Sequence, residues 1–119
     1  MRAAYRSRKK RKRLEKARIV TKAEIAKDLT KLGIKPGDIL IVHSSLSSIG
    51  RVQEGPNAVI DAIIEVLGPS GTLVMPAFSQ PYGTMLGTLE KDEVFDPAST
   101  PSTVGLIAET FRRREGVRR

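Results

Sequence analysis

Apolar residues recur at helical spacing in the first part of the chain, beginning near residue 21. Thr21 and Glu24 stand three residues apart, as in a capping box, and Gly33 stands where a glycine commonly ends a helix. The apolar stripe between them consists of Ile25, Leu29 and Leu32. The pattern therefore predicts a helix that begins after Thr21 and ends before Gly33.

Two short runs follow, at residues 39–42 and 72–75, and each has the length of a strand; the first is entirely apolar, and the second begins with Thr72. The first run does not alternate with polar residues, which predicts a strand buried on both faces of a parallel sheet. A helix is predicted between the runs, with Pro56 at its first position and Gly68 after its end. Its apolar face is formed by Val59, Ile60, Ile63, Ile64 and Leu67. Strand, helix and strand in this order predict an α/β fold of βαβ type, with a mostly parallel sheet and flanking helices.

A further amphipathic helix is predicted near the end of the printed sequence. Ser99 or Thr100 is positioned to cap it, and Gly116 to close it. Its apolar positions are Val104, Ile107, Ala108 and Phe111. Residues 76–101 contain no convincing element, and a loop of this length in a small domain is usually functional or disordered.

The formal net charge of the 119-residue chain is +8, but it is unevenly distributed. Residues 1–18 hold ten Lys and Arg and one acid, whereas the remainder is close to neutral. Like charges at this density repel and stay solvated. Residues 1–20 are therefore predicted to be a disordered basic tail, and residues 21–119 the folded domain. A basic arm that binds nucleic acid is the functional alternative for the tail.

The sequence contains no cysteine, which excludes disulfides, thiolate zinc sites and a cysteine nucleophile. No apolar stretch approaches the roughly 18 residues of a membrane helix. The basic start is not followed by the apolar segment of a secretory signal. We therefore expect a cytoplasmic protein.

The serine-rich stretch HSSLSSIG directly follows the first predicted strand. Ligands of parallel sheets bind beyond the carboxyl ends of the strands, and small hydroxyl residues there offer N–H and O–H donors to phosphate or carbonyl oxygens. The alternative is a tight turn that the serine hydroxyls stabilise. His43 is the only histidine, and at a strand end it is more often a packed, hydrogen-bonded residue than a catalytic base.

A second hydroxyl-rich motif, TPSTVG at residues 100–105, stands at the predicted start of the last helix. Free N–H groups at a helix start favour anions, whereas simple N-capping is the alternative explanation.

Four acidic residues cluster in the loop before this motif, as a solvated surface or as a site that attracts a polycationic substrate. They are Glu90, Asp92, Glu93 and Asp96. The P-loop, dinucleotide-binding and hydrolase-elbow motifs are all absent, and a single histidine provides no His-based metal cluster.

Three phrases of the sequence carry a specific resemblance: GIKPGDILIVHSSLSSIG, GPNAVIDAIIEVLGPSGTLVMPAFS and FDPASTPSTVGLIAETFRRREGVRR. In this order and spacing they resemble the N-terminal part of the aminoglycoside 3-N-acetyltransferase family, over residues 21–119. The resemblance implies an enzyme that uses acetyl-CoA, and no metal, to acetylate an amine of an aminoglycoside antibiotic, and so confers resistance, or to acetylate a related small polyamine. It implies that coenzyme A lies against two segments: His43, Ser44, Ser45 and Leu46, and Ser102, Thr103 and Val104. The implied mechanism is direct transfer, in which a general base deprotonates the attacking amine.

Members of the family are longer, and after the stretch matching GVRR they continue into a Ser-x-His-Pro segment whose histidine acts in catalysis. The resemblance thus implies an incomplete N-terminal part of a larger domain, with little activity alone. It assigns no catalytic residue, because His43 matches the loop position instead. A nucleic-acid-binding protein that uses the basic arm and a non-catalytic CoA-binding module are the alternative functions.

Overall fold

The structure is a computed structural model and describes residues 15–79 and 95–119. Within these ranges four short strands alternate with four helices. In chain order they are β1 Ile19–Val20, α1 Lys22–Lys31, β2 Ile39–Ile41, α2 Leu46–Ile49, β3 Arg51–Val52, α3 Pro56–Leu67, β4 Thr72–Val74 and α4 Leu106–Arg112. The predicted α/β class is confirmed.

The first helix, α1, forms as its sequence predicts. The Thr21 hydroxyl accepts a hydrogen bond from the Glu24 amide, and the Glu24 carboxylate accepts one from the Thr21 amide at 2.9 Å. The predicted capping box is therefore confirmed. Gly33, at φ +96°, follows the helix in a conformation that favours glycine.

The strands β2 and β4 pair in parallel, with Ile39 opposite Thr72 and Ile41 opposite Val74. The chain passes from β2 through α2 and β3 into helix α3, which leads into β4. This confirms the predicted parallel pairing around a central helix. A second parallel pair, β1 with β3, was not predicted, because two-residue strands carry no periodicity of their own.

Helix α3 supplies most of the hydrophobic core. Pro56 occupies its first turn and Gly68 caps its end, as predicted. Ile60 is completely buried, and Leu67 and Ile107 nearly so. The core is completed by partly buried side chains from both neighbouring helices and both central strands, among them Ile25, Leu29, Leu40, Leu73 and Phe111.

The sheet is covered on one face in the described residues, so the prediction of a strand buried on both faces is wrong. In β2, Leu40 packs against the core, whereas Ile39 is 75% exposed and Ile41 is 64% exposed. The physical reason is that α3 and its neighbours form a single layer. A continuous apolar run indicates a strand but does not say how many layers cover it.

Two apolar positions that were predicted to lie on buried helix stripes are exposed. Leu32 is 79% exposed because it caps the end of α1, and Ile64 is 43% exposed although its neighbour Ile63 is buried. Leu32 thus lies just beyond the last residue of α1, and Ile64 lies at the margin of the apolar face of α3.

The predicted boundaries fall partly outside the described residues. Residues 1–14 of the predicted basic tail and residues 80–94 of the predicted long loop, with Glu90, Asp92 and Glu93, lie outside them. Strand β1 consists of Ile19 and Val20, which are the last two residues of the predicted tail of residues 1–20. The described residues 76–79 and 95–101 contain no helix or strand, as predicted.

Candidate cofactor site

The serine-rich loop leaves the end of β2 and turns into the short helix α2. Ser45 is the residue before this helix, and its hydroxyl lies 3.1 Å from that of Ser47. The amides of Ser48 and Ile49 both donate to the Ser45 carbonyl. His43 and Ser45 are exposed, and Ser44 and Leu46 are half-buried. The interpretation of His43 as a packed residue is therefore wrong, because it lies at the open end of the sheet.

The segment of residues 102–104 approaches this loop from the other side. The Thr103 amide donates to the Phe78 carbonyl at 2.8 Å, and the Thr103 hydroxyl donates to the same oxygen at 3.2 Å. The segment is not helical, because α4 begins at Leu106 and has Gly105 before it. Gly105 has φ +124° and ψ 164°, a conformation that is essentially restricted to glycine.

The prediction that Ser99 or Thr100 caps the last helix, with Val104 on its apolar face, is accordingly wrong. The Ser99 hydroxyl donates to the Asp96 carboxylate at 2.6 Å, and the Thr100 hydroxyl accepts from the Asp96 amide. These bonds form a separate turn before the helix. The Ser99 hydroxyl and the Ala98 amide also hold the pKa of the Asp96 carboxyl below its usual value.

The two hydroxyl-bearing segments meet at a pair of adjoining open clefts. One cleft of about 370 Å³ is lined by His43, Ser44, Thr103 and Val104, together with Pro76, Phe78 and Gly105. The other, of about 410 Å³, is lined by Ser44, Ser45, Leu46 and Val104, together with Ser47, Gly50, Gly105 and Leu106. A side chain added at Gly105 would come within 3.6 Å of the Ser44 carbonyl oxygen, which shows how closely the segments approach.

Six of the seven residues predicted to face a ligand thus line these clefts, and Ser102 does not. The Ser102 amide donates to the Glu109 carboxylate at 2.7 Å, on the side of α4. The Ser102 hydroxyl lies 3.5 Å from the Val104 amide.

Sequence patterns missed the ion pair beneath this segment. The Arg112 guanidinium contacts the Glu109 carboxylate through two nitrogens, at 2.9 and 2.7 Å. Hydrogen bonds from Arg112, Ser102 and Arg113 lower the pKa of the Glu109 carboxyl to about 2, although burial opposes the shift. The spacing of three residues between Glu109 and Arg112 was the available signal for the pair. It gave no indication that the carboxylate also reaches Ser102.

A protein-family model for aminoglycoside 3-N-acetyltransferase matches residues 41–119, which include both segments of the cleft. The chain belongs to the aminoglycoside 3-N-acetyltransferase family. The resemblance drawn from the three sequence phrases is thereby confirmed.

Individual members of the aminoglycoside 3-N-acetyltransferase family match over most of the chain. Aminoglycoside N(3)-acetyltransferase IV from Salmonella sp. is 42% identical over 100 residues, which are 82% of this chain and 35% of the relative. The crystal structure of the aminoglycoside acetyltransferase AAC(3)-IVa apoenzyme superimposes with a TM-score of 0.75 and 40% identity, over 87% of this chain and 38% of that one. AAC-IIIb in a binary complex with CoASH gives a TM-score of 0.74 and 28% identity, over 86% of this chain and 42% of that one.

The chain therefore spans roughly a third of the length of the curated relatives.

Among residues 15–79 and 95–119, no cluster of three or more His, Asp or Glu side chains is arranged to hold a metal ion. No helix in the same ranges is long and apolar enough to cross a bilayer.

Proposed function

We propose that this chain forms part of an acetyl-CoA-dependent N-acetyltransferase that modifies an amine of an aminoglycoside antibiotic, and that it carries the coenzyme A side of the site. The observation that carries the proposal is that His43 and Ser44 line the same cleft as Thr103 and Val104. The family membership and a relative bound to CoASH support it. A gentamicin is bound in a further structure, that of an AAC(3)-IVa variant, which supports an aminoglycoside as the acceptor.

The cleft fits the pantetheine and phosphate portions of coenzyme A. Serine and threonine hydroxyls both donate and accept hydrogen bonds, as amides and phosphates require. Gly105 places bare backbone in the wall of the cleft, which allows a ligand to approach closely. His43 is exposed at the margin of the cleft, and we do not assign it the role of catalytic base.

The proposed chemistry is acyl transfer by direct attack. Acetyl-CoA supplies an activated acetyl group as a thioester. The residues of this chain bind and orient that donor, and N–H donors placed near the thioester carbonyl stabilise developing negative charge on its oxygen. Orientation of this kind lowers the entropic part of the barrier.

Calorimetric titration with CoA tests the binding part of the proposal. We expect the chain to bind CoA and Ser44→Ala to weaken binding about fivefold to tenfold, since a lost hydrogen bond costs about 1 kcal/mol. Ser70→Ala is the matched control, because Ser70 lies in the turn before β4, away from the cleft. Equal affinity of the two variants, or no binding by the unaltered chain, would contradict the proposal.

Thiol release from acetyl-CoA in the presence of an aminoglycoside tests the catalytic part, on this chain and on a polypeptide of the length of its relatives. Release by the longer polypeptide is expected. CoA binding without thiol release by either polypeptide would identify a non-catalytic CoA-binding module instead. The hypothesis of a nucleic-acid-binding arm concerns residues that lie mostly outside the described ranges, and it stays a prediction.

A further inference from the structure

Beneath the segment of residues 102–104 lies a largely buried ion pair, Glu109 with Arg112, whose side chains are 17% and 5% exposed. Two nitrogens of the guanidinium meet the two carboxylate oxygens side-on. Such bidentate contacts are geometrically specific as well as strong. Because both partners lie on α4, one turn apart, the pair presents a carboxylate and a guanidinium group to the preceding loop.

The pair binds that loop at two points. The Glu109 carboxylate accepts the Ser102 amide hydrogen at 2.7 Å, and the Arg112 Nη1 atom donates to the Ala98 carbonyl at 2.6 Å. Glu109 is the fourth residue of α4 and reaches back to an amide outside the helix. It therefore does not act as a cap of its own helix. Its contact fixes the orientation of the peptide that leads into Thr103.

The opposite side of the same segment is fixed by the two Thr103 bonds to Phe78. Thr103 is itself held on that side, Val104 directly follows it, and both line the cleft that Ser44 shares. Loss of the Glu109 contact would release the segment on the side of α4. The Glu109 side chain would then no longer restrain the cleft wall, although α4 would still hold Gly105 through its backbone.

We propose that Glu109 and Arg112 are positioning residues of the candidate cofactor site, which hold residues 102–104 in the orientation that binds coenzyme A. The proposal rests on the proposed function and adds residues to it that do not line the clefts. Neither residue touches the ligand. Their effect on affinity passes through the backbone of Ser102.

Calorimetry with CoA on the 119-residue chain tests the proposal through Glu109→Ala and Glu109→Gln. We expect Glu109→Ala to weaken CoA binding at least tenfold, because it removes a charge-assisted contact. Glu109→Gln keeps an acceptor for the Ser102 amide and should recover part of that loss. Asp61→Asn is the matched control, because it removes the charge from the 2.6 Å contact between Asp61 of α3 and Arg114, which lies two residues beyond α4 and away from the cleft.

Amide hydrogen exchange distinguishes a local release of residues 102–104 from a general loss of stability, and the CoA affinity then shows whether that release affects binding. In Glu109→Ala, exchange at Ser102 and Thr103 should rise while the core amides of α3 stay protected. In Asp61→Asn, exchange at Ser102 and Thr103 should stay unchanged. A chain that binds CoA equally well with and without Glu109 would overturn the positioning role and leave the proposed function intact. An unaltered chain that binds no CoA would overturn both.

Discussion

At the scale of single residues, the site depends on a few backbone and side-chain contacts with specific geometry. Gly105 turns the chain between the Thr103 segment and α4, in a conformation that other residues rarely adopt. Glu109 accepts hydrogen bonds from three groups at once: a backbone amide and two guanidinium groups. Both residues act on the position of the cleft wall, and neither is a reacting group.

We expect Gly105→Ala to destabilise the chain by about 1–3 kcal/mol, because alanine is strained at this φ, and to weaken CoA binding as well. Gly116→Ala is the control, since Gly116 also has a positive φ, +79°, but lies away from both clefts. Urea unfolding measures the stability and calorimetry the affinity. Equal effects of the two variants on CoA affinity would contradict the role of Gly105 in the cleft.

The Glu109 carboxyl predicts a specific acid dependence. Its pKa is about 2 in the folded chain, below the ordinary value of 4.5, so its contribution to stability is fully present above pH 4.5 and is lost as the pH falls toward 2. Thermal unfolding of the unaltered chain and of Glu109→Gln should therefore give melting temperatures that differ at neutral pH and converge at the acid end of this window. Parallel curves across the whole range would show that Glu109 is not stabilised as an anion.

At the scale of elements, α3 determines the fold and α4 positions one half of the site. Helix α3 could be predicted from the sequence, because proline, glycine and a regular apolar stripe all mark it. The start of α4 could not be predicted in the same way. Val104 fits the helical spacing, but Gly105 interrupts the helix and Ser102 bonds to a carboxylate seven residues later. A contact of that kind has no local signature.

The central role of α3 predicts unequal costs for two isoleucines on the same helix. Ile60→Ala should reduce the free energy of unfolding by about 2–5 kcal/mol, as for other fully buried positions. Ile64→Ala should cost less than about 1 kcal/mol, because this side chain is 43% exposed. Urea denaturation of both variants measures the difference. Similar losses would show that the core is not centred on this face of α3.

At the scale of the whole molecule, the described residues form one helical layer against one face of the parallel pair of β2 and β4. The other face exposes Ile39 and Ile41 of β2 and Val74 of β4. Strands β2 and β4 and their parallel pairing could be predicted, because two apolar runs flank a clear helix, whereas the two-residue strands β1 and β3 could not. The exposed face could not be predicted, because burial depends on which layers are present.

Exposed apolar surface of this kind favours association. We expect the 119-residue chain to self-associate as its concentration rises, and Ile41→Lys to reduce association by placing a charge on the sheet. Leu32→Lys is the control, since Leu32 is also exposed but lies at the end of α1. Sedimentation analysis over a range of concentrations measures the effect. A chain that stays monomeric, or equal effects of the two variants, would contradict the assignment of the sheet face.

The central claim is that the loop after β2 and the segment before α4 form the two walls of one coenzyme A site. Amide hydrogen exchange, compared with and without saturating CoA, tests it most directly. The account predicts that residues 43–46 and residues 102–105 become protected together, while α1 is unaffected. Protection of one segment without the other, or of neither, would contradict it.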